Sequence, residues 1–209
     1  MGDGEQFVAR PKRILSTFLN IPYHSKFEDL YLAYVVGLTQ LGLKINLTLA
    51  VPNQGRLDRI VRLIEKSVVS IHDLSRIELS SGIPRFNMPL ELGLALYRSR
   101  TTRGRHKVFV FESKPYRMQR STSDISGIDP QIHNNRPKGV MAGLRNIFYQ
   151  ADGTTVPEML SSFLAVKRRL PELRRNAGSR SLFEASVLKD LVVAALVERE
   201  KIVERRGRA

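Results

Sequence analysis

Apolar positions fall into short runs separated by polar, Gly- and Pro-bearing connections through the first two thirds of the chain, and into long helical stripes after that. Arg13 to Asn20 (RILSTFLN) has the length and apolar content of a buried first strand, followed by a polar turn holding Pro22. In EDLYLAYVVGLTQLGL, Leu30, Tyr34, Leu38 and Leu41 share one helical stripe, and Gly42 supplies the stop. KINLTLAV predicts a second strand closed by Pro52-Asn53-Gln54-Gly55. RLDRIVRLIEKS predicts an amphipathic helix with Leu57, Ile60 and Ile64 inward and Arg56, Arg59, Arg62 and Lys66 outward. A third strand, Val68 to Ile71, leads to a polar loop opening at Asp73 and a helix beginning near Asn87 that carries Glu91 in its first turn. A fourth strand, KVFVFE, starts at Lys107, and no fifth is evident. The polar stretch after Glu112 is too long for a simple connection, and such loops are often functional. It ends at Pro137, ahead of a helix in KGVMAGLRNIFYQ.

Strands alternating with helices over short connections predict an α/β fold, a flavodoxin- or Rossmann-like parallel sheet of four to five strands with helices on both faces, spanning residues 1–150. Residues 151–209 predict a basic, all-helical C-terminal extension. Its first helix has Thr154 or Thr155 as N-cap and Pro171 as a break. Its second has Ser181 as N-cap and Glu184 as the capping-box acid. The apolar positions Leu182, Val187, Leu191, Ala194, Leu196 and Val197 form a broad face that needs a partner: the α/β body, a second copy in a homo-oligomer, or another protein.

Composition narrows the chemistry. With no cysteine, disulfides, thiolate metal sites and cysteine nucleophiles are excluded. His24, His72, His106 and His133 show no metal-ligand spacing, and there is no Gly-rich P-loop, so no metal site and no Walker-type hydrolysis are expected. No apolar run approaches a membrane span and the amino terminus lacks an apolar signal core, which makes the cytoplasm the expected location and a membrane partner unexpected. The net charge of +14 favours anionic substrates or polyanionic partners, nucleic acid among them. Yet the basic runs (Arg98 to Lys107, Lys167-Arg168-Arg169, Arg174-Arg175, Arg205-Arg206) have no interleaved aromatics of the kind a single-strand binder stacks on bases.

The predicted topology turns Asp73, at a strand's carboxyl end, and Glu91, at the next helix's start, toward one crevice. Free amides and the macrodipole at a helix start would keep Glu91 ionised, fit to attack or stabilise a sugar cation at an anomeric carbon, although the same acid also reads as a helix cap. Asp73 reads equally as a ribose-hydroxyl acceptor and as a turn former. Asn87 either holds a sugar hydroxyl or caps the helix, and Asn20 and Tyr23, after the first strand, either line a base pocket or serve the turn.

The order strand, Asp73-Leu74-Ser75-Arg76, loop, then Asn87-Met88-Pro89-Leu90-Glu91-Leu92-Gly93-Leu94-Ala95 resembles the nucleoside 2-deoxyribosyltransferase superfamily and the related TIR-like domains of bacterial defence systems, over roughly residues 13 to 150. The resemblance implies Glu91 as nucleophile, Asp73 and Asn87 as sugar-holding residues with Ser75 and Arg76 beside them, and a nucleotide or NAD as substrate with no further cofactor. The segment from Ser123 to Pro130, with His133, also resembles TIR-like proteins. Transferases of that superfamily finish their pockets with a neighbour's residues, which would give Asp124, Asp129 and His133 a role across a subunit boundary, while His133 also reads as a structural hydrogen-bonder. The loop from Phe18 to Tyr23 departs from the small-residue loop of the transferases, and the basic tail lies outside the pattern. Two functions follow: an N-glycosidic-bond hydrolase or base-exchanging transferase acting as a defence effector, or a non-catalytic module that senses a nucleotide in the same pocket and contacts nucleic acid or a partner protein through its tail.

Overall fold

The computed structural model describes residues 14–50, 55–76, 86–118, 127–151 and 154–208. Five strands, β1 (Ser16–Asn20), β2 (Lys44–Asn46), β3 (Val69–Asp73), β4 (Lys107–Glu112) and β5 (Gln131–Ile132), pair in the order β2-β1-β3-β4-β5, and every pairing is parallel. This is the doubly wound order found in flavodoxin-type sheets. Among the described residues six α-helices accompany the sheet: α1 (Glu28–Gln40), α2 (Arg56–Glu65), α3 (Asn87–Thr101), α4 (Pro137–Ile147), α5 (Val156–Asn176) and α6 (Ala185–Gly207).

The two faces are covered differently. On one, α2 and α3 pack through Ile60, Leu63, Ile64, Ala95 and Leu92 onto Phe18, Leu74 and Val110. On the other lies α1, an element buried nearly all round, as an interior helix with apolar residues on every side must be. It contacts α4, α5 and α6, and one continuous apolar core runs from Leu19, Ile71 and Phe111 of the sheet through Tyr31, Leu32 and Val36 to Phe163, Val187 and Leu191. The α/β half and the helical half therefore share a core. The broad apolar face of α6 finds its cover mainly in this body: Leu182, Val187, Leu191, Ala194 and Ala195 are buried, while Leu196 and Val197 stay on the surface.

Several local expectations are corrected. A fifth strand exists, but it is only two residues long and its pairing with Phe111 and Glu112 leaves no periodic signature to read. Pro171 lies inside an unbroken α5. The lost donor and steric clash, worth about 3 kcal/mol in a free helix, are offset by burial of Met159, Phe163, Val166 and Leu173 and by pairs on either side of the proline, Lys167 to Asp29 at 2.7 Å and Arg174 to Glu28 at 2.8 Å. The Ser181–Glu184 capping box does not form: α6 starts one residue after Glu184, whose carboxylate instead accepts a hydrogen bond from the Ser179 hydroxyl at 2.6 Å. The capping box that does form joins Thr155 to Glu158 at the start of α5.

Among the described residues no helix is long and apolar enough to cross a membrane.

Candidate functional site

The chain leaves β1 for β2 on one side and crosses to β3 on the other, which opens a crevice beyond the carboxyl ends of β1 and β3. A cavity of about 280 Å³ lies there. Leu19, Ile21, Pro22 and Met88 form its apolar wall, and Asn20, Tyr23, Thr48, Arg56, Asn87 and Glu91 supply its polar groups. Asn20, Tyr23, Asn87 and Glu91, expected at a site, are thus brought to one cavity.

Glu91 is the fifth residue of α3, beyond the first turn where free amides point out of the helix. The amide of the preceding Leu90 is already bonded to the Phe86 carbonyl at 3.1 Å. The macrodipole is therefore weak at Glu91, and burial decides its protonation: the residue is 5% exposed. Desolvation pushes its carboxyl up to about 7, against the opposing pull of the Arg56 guanidinium 3.8 Å away. The expectation of a permanently ionised Glu91 is corrected accordingly. At neutral pH it is divided between its two forms, the condition under which a carboxyl serves as base, nucleophile or acid.

The neighbouring groups are rigidly held. The Asn20 amide donates to Nδ1 of His72 at 3.0 Å and to the Met88 carbonyl at 3.4 Å, tying the end of β1 to β3 and to the first turn of α3. His72 is neutral, its pKa lowered to about 3 by burial and then by His106, so Nδ1 is a plain acceptor and the ring proton sits on Nε2. On the facing wall the Tyr23 hydroxyl bonds Thr48 at 3.1 Å, and burial raises the phenol to about 12, which keeps it a neutral donor. Asn87 is the first residue of α3, Phe86 being its N-cap, and it lines the cavity.

Asp73 does not line this cavity. It is fully buried at the end of β3, where Oδ2 accepts the Tyr34 hydroxyl at 2.7 Å and Oδ1 accepts the Ser75 amide at 2.9 Å. His133, also fully buried, brings Nε2 to 3.2 Å from Asp73 Oδ2, a close approach without hydrogen-bond alignment. The Asn135 amide donates to His133 Nδ1 at 3.0 Å, which orients the ring with Nε2 facing Asp73. His133 meets its partner within its own chain and inside the core. Ser75 is buried beside Asp73, Arg76 is half-exposed, and Asp129 is exposed on the approach to β5. These five residues are not brought to the Glu91 cavity; Asp124 lies outside the described residues.

Arg56 and Thr48 are cavity residues that the sequence reading did not single out, and Tyr34 and His72 are supports it did not name as such. Arg56 read only as part of the solvated face of α2. Its place as the first residue after the turn that closes the second strand was the available signal, since such turns sit at the carboxyl edge of a parallel sheet. Thr48 and Tyr34 gave no signal, because their partners are 25 and 39 residues away in the sequence. The basic run near Arg98 lies at the other end of α3, where Arg98 and Arg100 complement the helix C-terminus, and leads into the amino end of β4. No metal-binding cluster of His, Asp and Glu occurs among the described residues.

No family model matches the chain, and no curated protein matches it in sequence.

Proposed function

We propose that the chain cleaves or exchanges the N-glycosidic bond of a nucleoside or nucleotide, with Glu91 acting at the anomeric carbon. One observation carries this reading: a buried carboxyl poised near neutrality in a cavity at the switch point of a parallel sheet, walled by apolar side chains, neutral donors and Arg56. Its phrase from Asn87 to Ala95, which resembles that of the deoxyribosyltransferases, supports the same assignment.

In the proposed reaction the C1′–N bond breaks and its electron pair leaves with the base, which takes a proton from solvent. Ionised Glu91 stabilises the developing oxocarbenium charge or forms an ester at C1′. Water then adds its oxygen to C1′ and gives up a proton, yielding free base and sugar, or a second base takes the place of water. Asn20, Asn87 and the Tyr23–Thr48 pair hold sugar and base. A role in defence, by depletion or modification of nucleotides, belongs to the same proposal.

The test is base release, read by chromatography and mass spectrometry, from NAD and from panels of nucleosides and nucleotides. Wild type releases base, and Glu91→Gln loses at least about 100-fold in turnover while keeping its fold. Unchanged turnover in a folded Glu91→Gln protein, or no base from any substrate, overturns the proposal; the second outcome favours a nucleotide-sensing module.

A further inference from the structure

Among the described residues that line it, the cavity has one cation, Arg56, and its placement says more than that the ligand is a nucleoside. Arg56 opens α2, and its side chain is 62% exposed, whereas Glu91 opposite it is 7% exposed. The 3.8 Å between them exceeds hydrogen-bonding distance, so Glu91 does not engage the guanidinium fork in the paired geometry carboxylates favour. Glu91 is also the sole carboxylate among the described residues that line the cavity, and near neutrality it is ionised only part of the time. The charge of Arg56 is therefore incompletely answered, on a long side chain at the mouth of a cavity whose other described polar groups besides Glu91, namely Asn20, Tyr23, Thr48 and Asn87, are neutral. The start of α2 is not the source of this attraction, because Asp58 turns back toward Gly55 and already complements it.

We propose that Arg56 is the specificity-determining residue of the cavity and that its ligand is a nucleoside 5′-monophosphate, sugar and base held over Glu91 and phosphate held by the guanidinium. The sugar and base rest on the glycosidic reading above; the phosphate rests on Arg56. A guanidinium presents donors in a fork that matches two phosphate oxygens, and a chain of net charge +14 steers an anion toward it. The volume of about 280 Å³ is at the small end for ligand sites, which suits one sugar, one base and one phosphate better than a dinucleotide such as NAD.

Two measurements test the assignment separately from the reaction. The first is binding, by calorimetry, of 5′-monophosphates, their parent nucleosides, NAD and inorganic phosphate to the Glu91→Gln protein with and without Arg56→Gln. Monophosphates bind roughly 10- to 100-fold more tightly than nucleosides, the ratio falls to about one in the double variant, and Arg56→Lys recovers part of it. The second is kcat/KM for base release by wild type and Arg56→Gln, where the monophosphate preference collapses mainly through KM. Arg56-dependent monophosphate binding without base release sustains the phosphate site and overturns the glycosidic reading. Base release with a nucleoside-to-monophosphate ratio that Arg56→Gln leaves unchanged, or tighter Arg56-dependent binding of NAD, overturns this inference and leaves the glycosidic reading standing.

Discussion

At neutral pH Glu91 sits near its own midpoint, because desolvation raises its carboxyl and Arg56 only partly counters it. Both catalysis and stability should record that balance. If ionised Glu91 is the working form, kcat/KM rises with pH on a limb centred near 7, and removing the guanidinium in Arg56→Gln moves that limb to higher pH; a limb that falls through 7 instead would identify the protonated form as the one in use. Stability runs the opposite way. The folded-state value, about 7, lies above the ordinary 4.5, so the folded protein holds more protons across that window and loses stability as pH rises through it. The loss is complete above 7 and amounts to about 3 kcal/mol. Urea denaturation of wild type and Glu91→Gln at pH 4.5 and 8 checks this: the variant, which carries no titrating group there, should be the more stable of the two at pH 8. Asn20 gives a second test at this scale. Asn20→Ala strips the acceptor His72 Nδ1 and the Met88 carbonyl of one donor, for an expected cost of about 1–3 kcal/mol in denaturation, and loosens the first turn of α3 ahead of Glu91.

Among the elements, close approach is set by glycines whose contacts differ in kind. A methyl added at Gly37 of α1 would reach 2.7 Å from Leu144 Cδ1, the end of a side chain that can rotate, and an alanine there also favours the helix by about 1 kcal/mol. A methyl at Gly139 of α4 would fall on the backbone carbonyl of His133, which cannot move without carrying His133 away from Asp73. Gly139→Ala should therefore cost about 3 kcal/mol and Gly37→Ala at least 2 kcal/mol less, read as thermal or denaturant midpoints; equal costs would mean that the β5–α4 turn yields easily. The same contrast separates what the sequence disclosed from what it did not. Four strands and the six helices of the described residues announced themselves through apolar period and length, although the second strand stops at Asn46 and Thr48–Ala50 of its apolar run turn into a 3-10 helix, and the strand–helix alternation was enough for a parallel sheet. β5 did not, since two residues have no period. The unbroken α5 did not, since Pro171 is a local signal overruled by burial on both sides of it. At the site, sequence order placed Glu91 at the crevice. It put Asp73 there as well, but a strand's last residue can turn toward the ligand or into the core, and only the partners Tyr34 and His133, from α1 and the β5–α4 turn, decide that it turns inward.

Across the whole molecule, the C-terminal extension is both wall and support. Part of its basic character serves attachment: Lys167 and Arg174 of α5 pair with Asp29 and Glu28 in the first turn of α1, and Arg206 of α6 pairs with Glu158 at the start of α5, joining the two helices of the extension. Contact with the site runs through Phe183. Its ring lies 5.1 Å from that of Tyr31 and 5.7 Å from that of Tyr23, whose hydroxyl bonds Thr48 at the cavity wall. Two outcomes follow if the extension belongs to the fold. Removing residues 151–209 would leave α1 without its cover of Phe163, Val166, Leu173, Val187 and Leu191, each burial being worth roughly 1.5–3 kcal/mol, a sum comparable with the whole stability of a domain. The truncated chain should lack a cooperative unfolding transition, and one that unfolds cooperatively as a monomer would show that the α/β half stands alone. Phe183→Ala is the milder variant. Because Phe183 is half-buried, its cost should be about 2 kcal/mol, below that of a core phenylalanine, and the protein stays folded. With one side of Tyr23 unsupported, ligand affinity at the cavity should fall while the Glu91 pH limb stays near 7, since Phe183 does not line the cavity and burial and Arg56 set the Glu91 carboxyl. A shift of that limb together with affinity would mean instead that α6 holds the entire crevice, α3 included, and that the extension acts on the chemistry as well as on the wall.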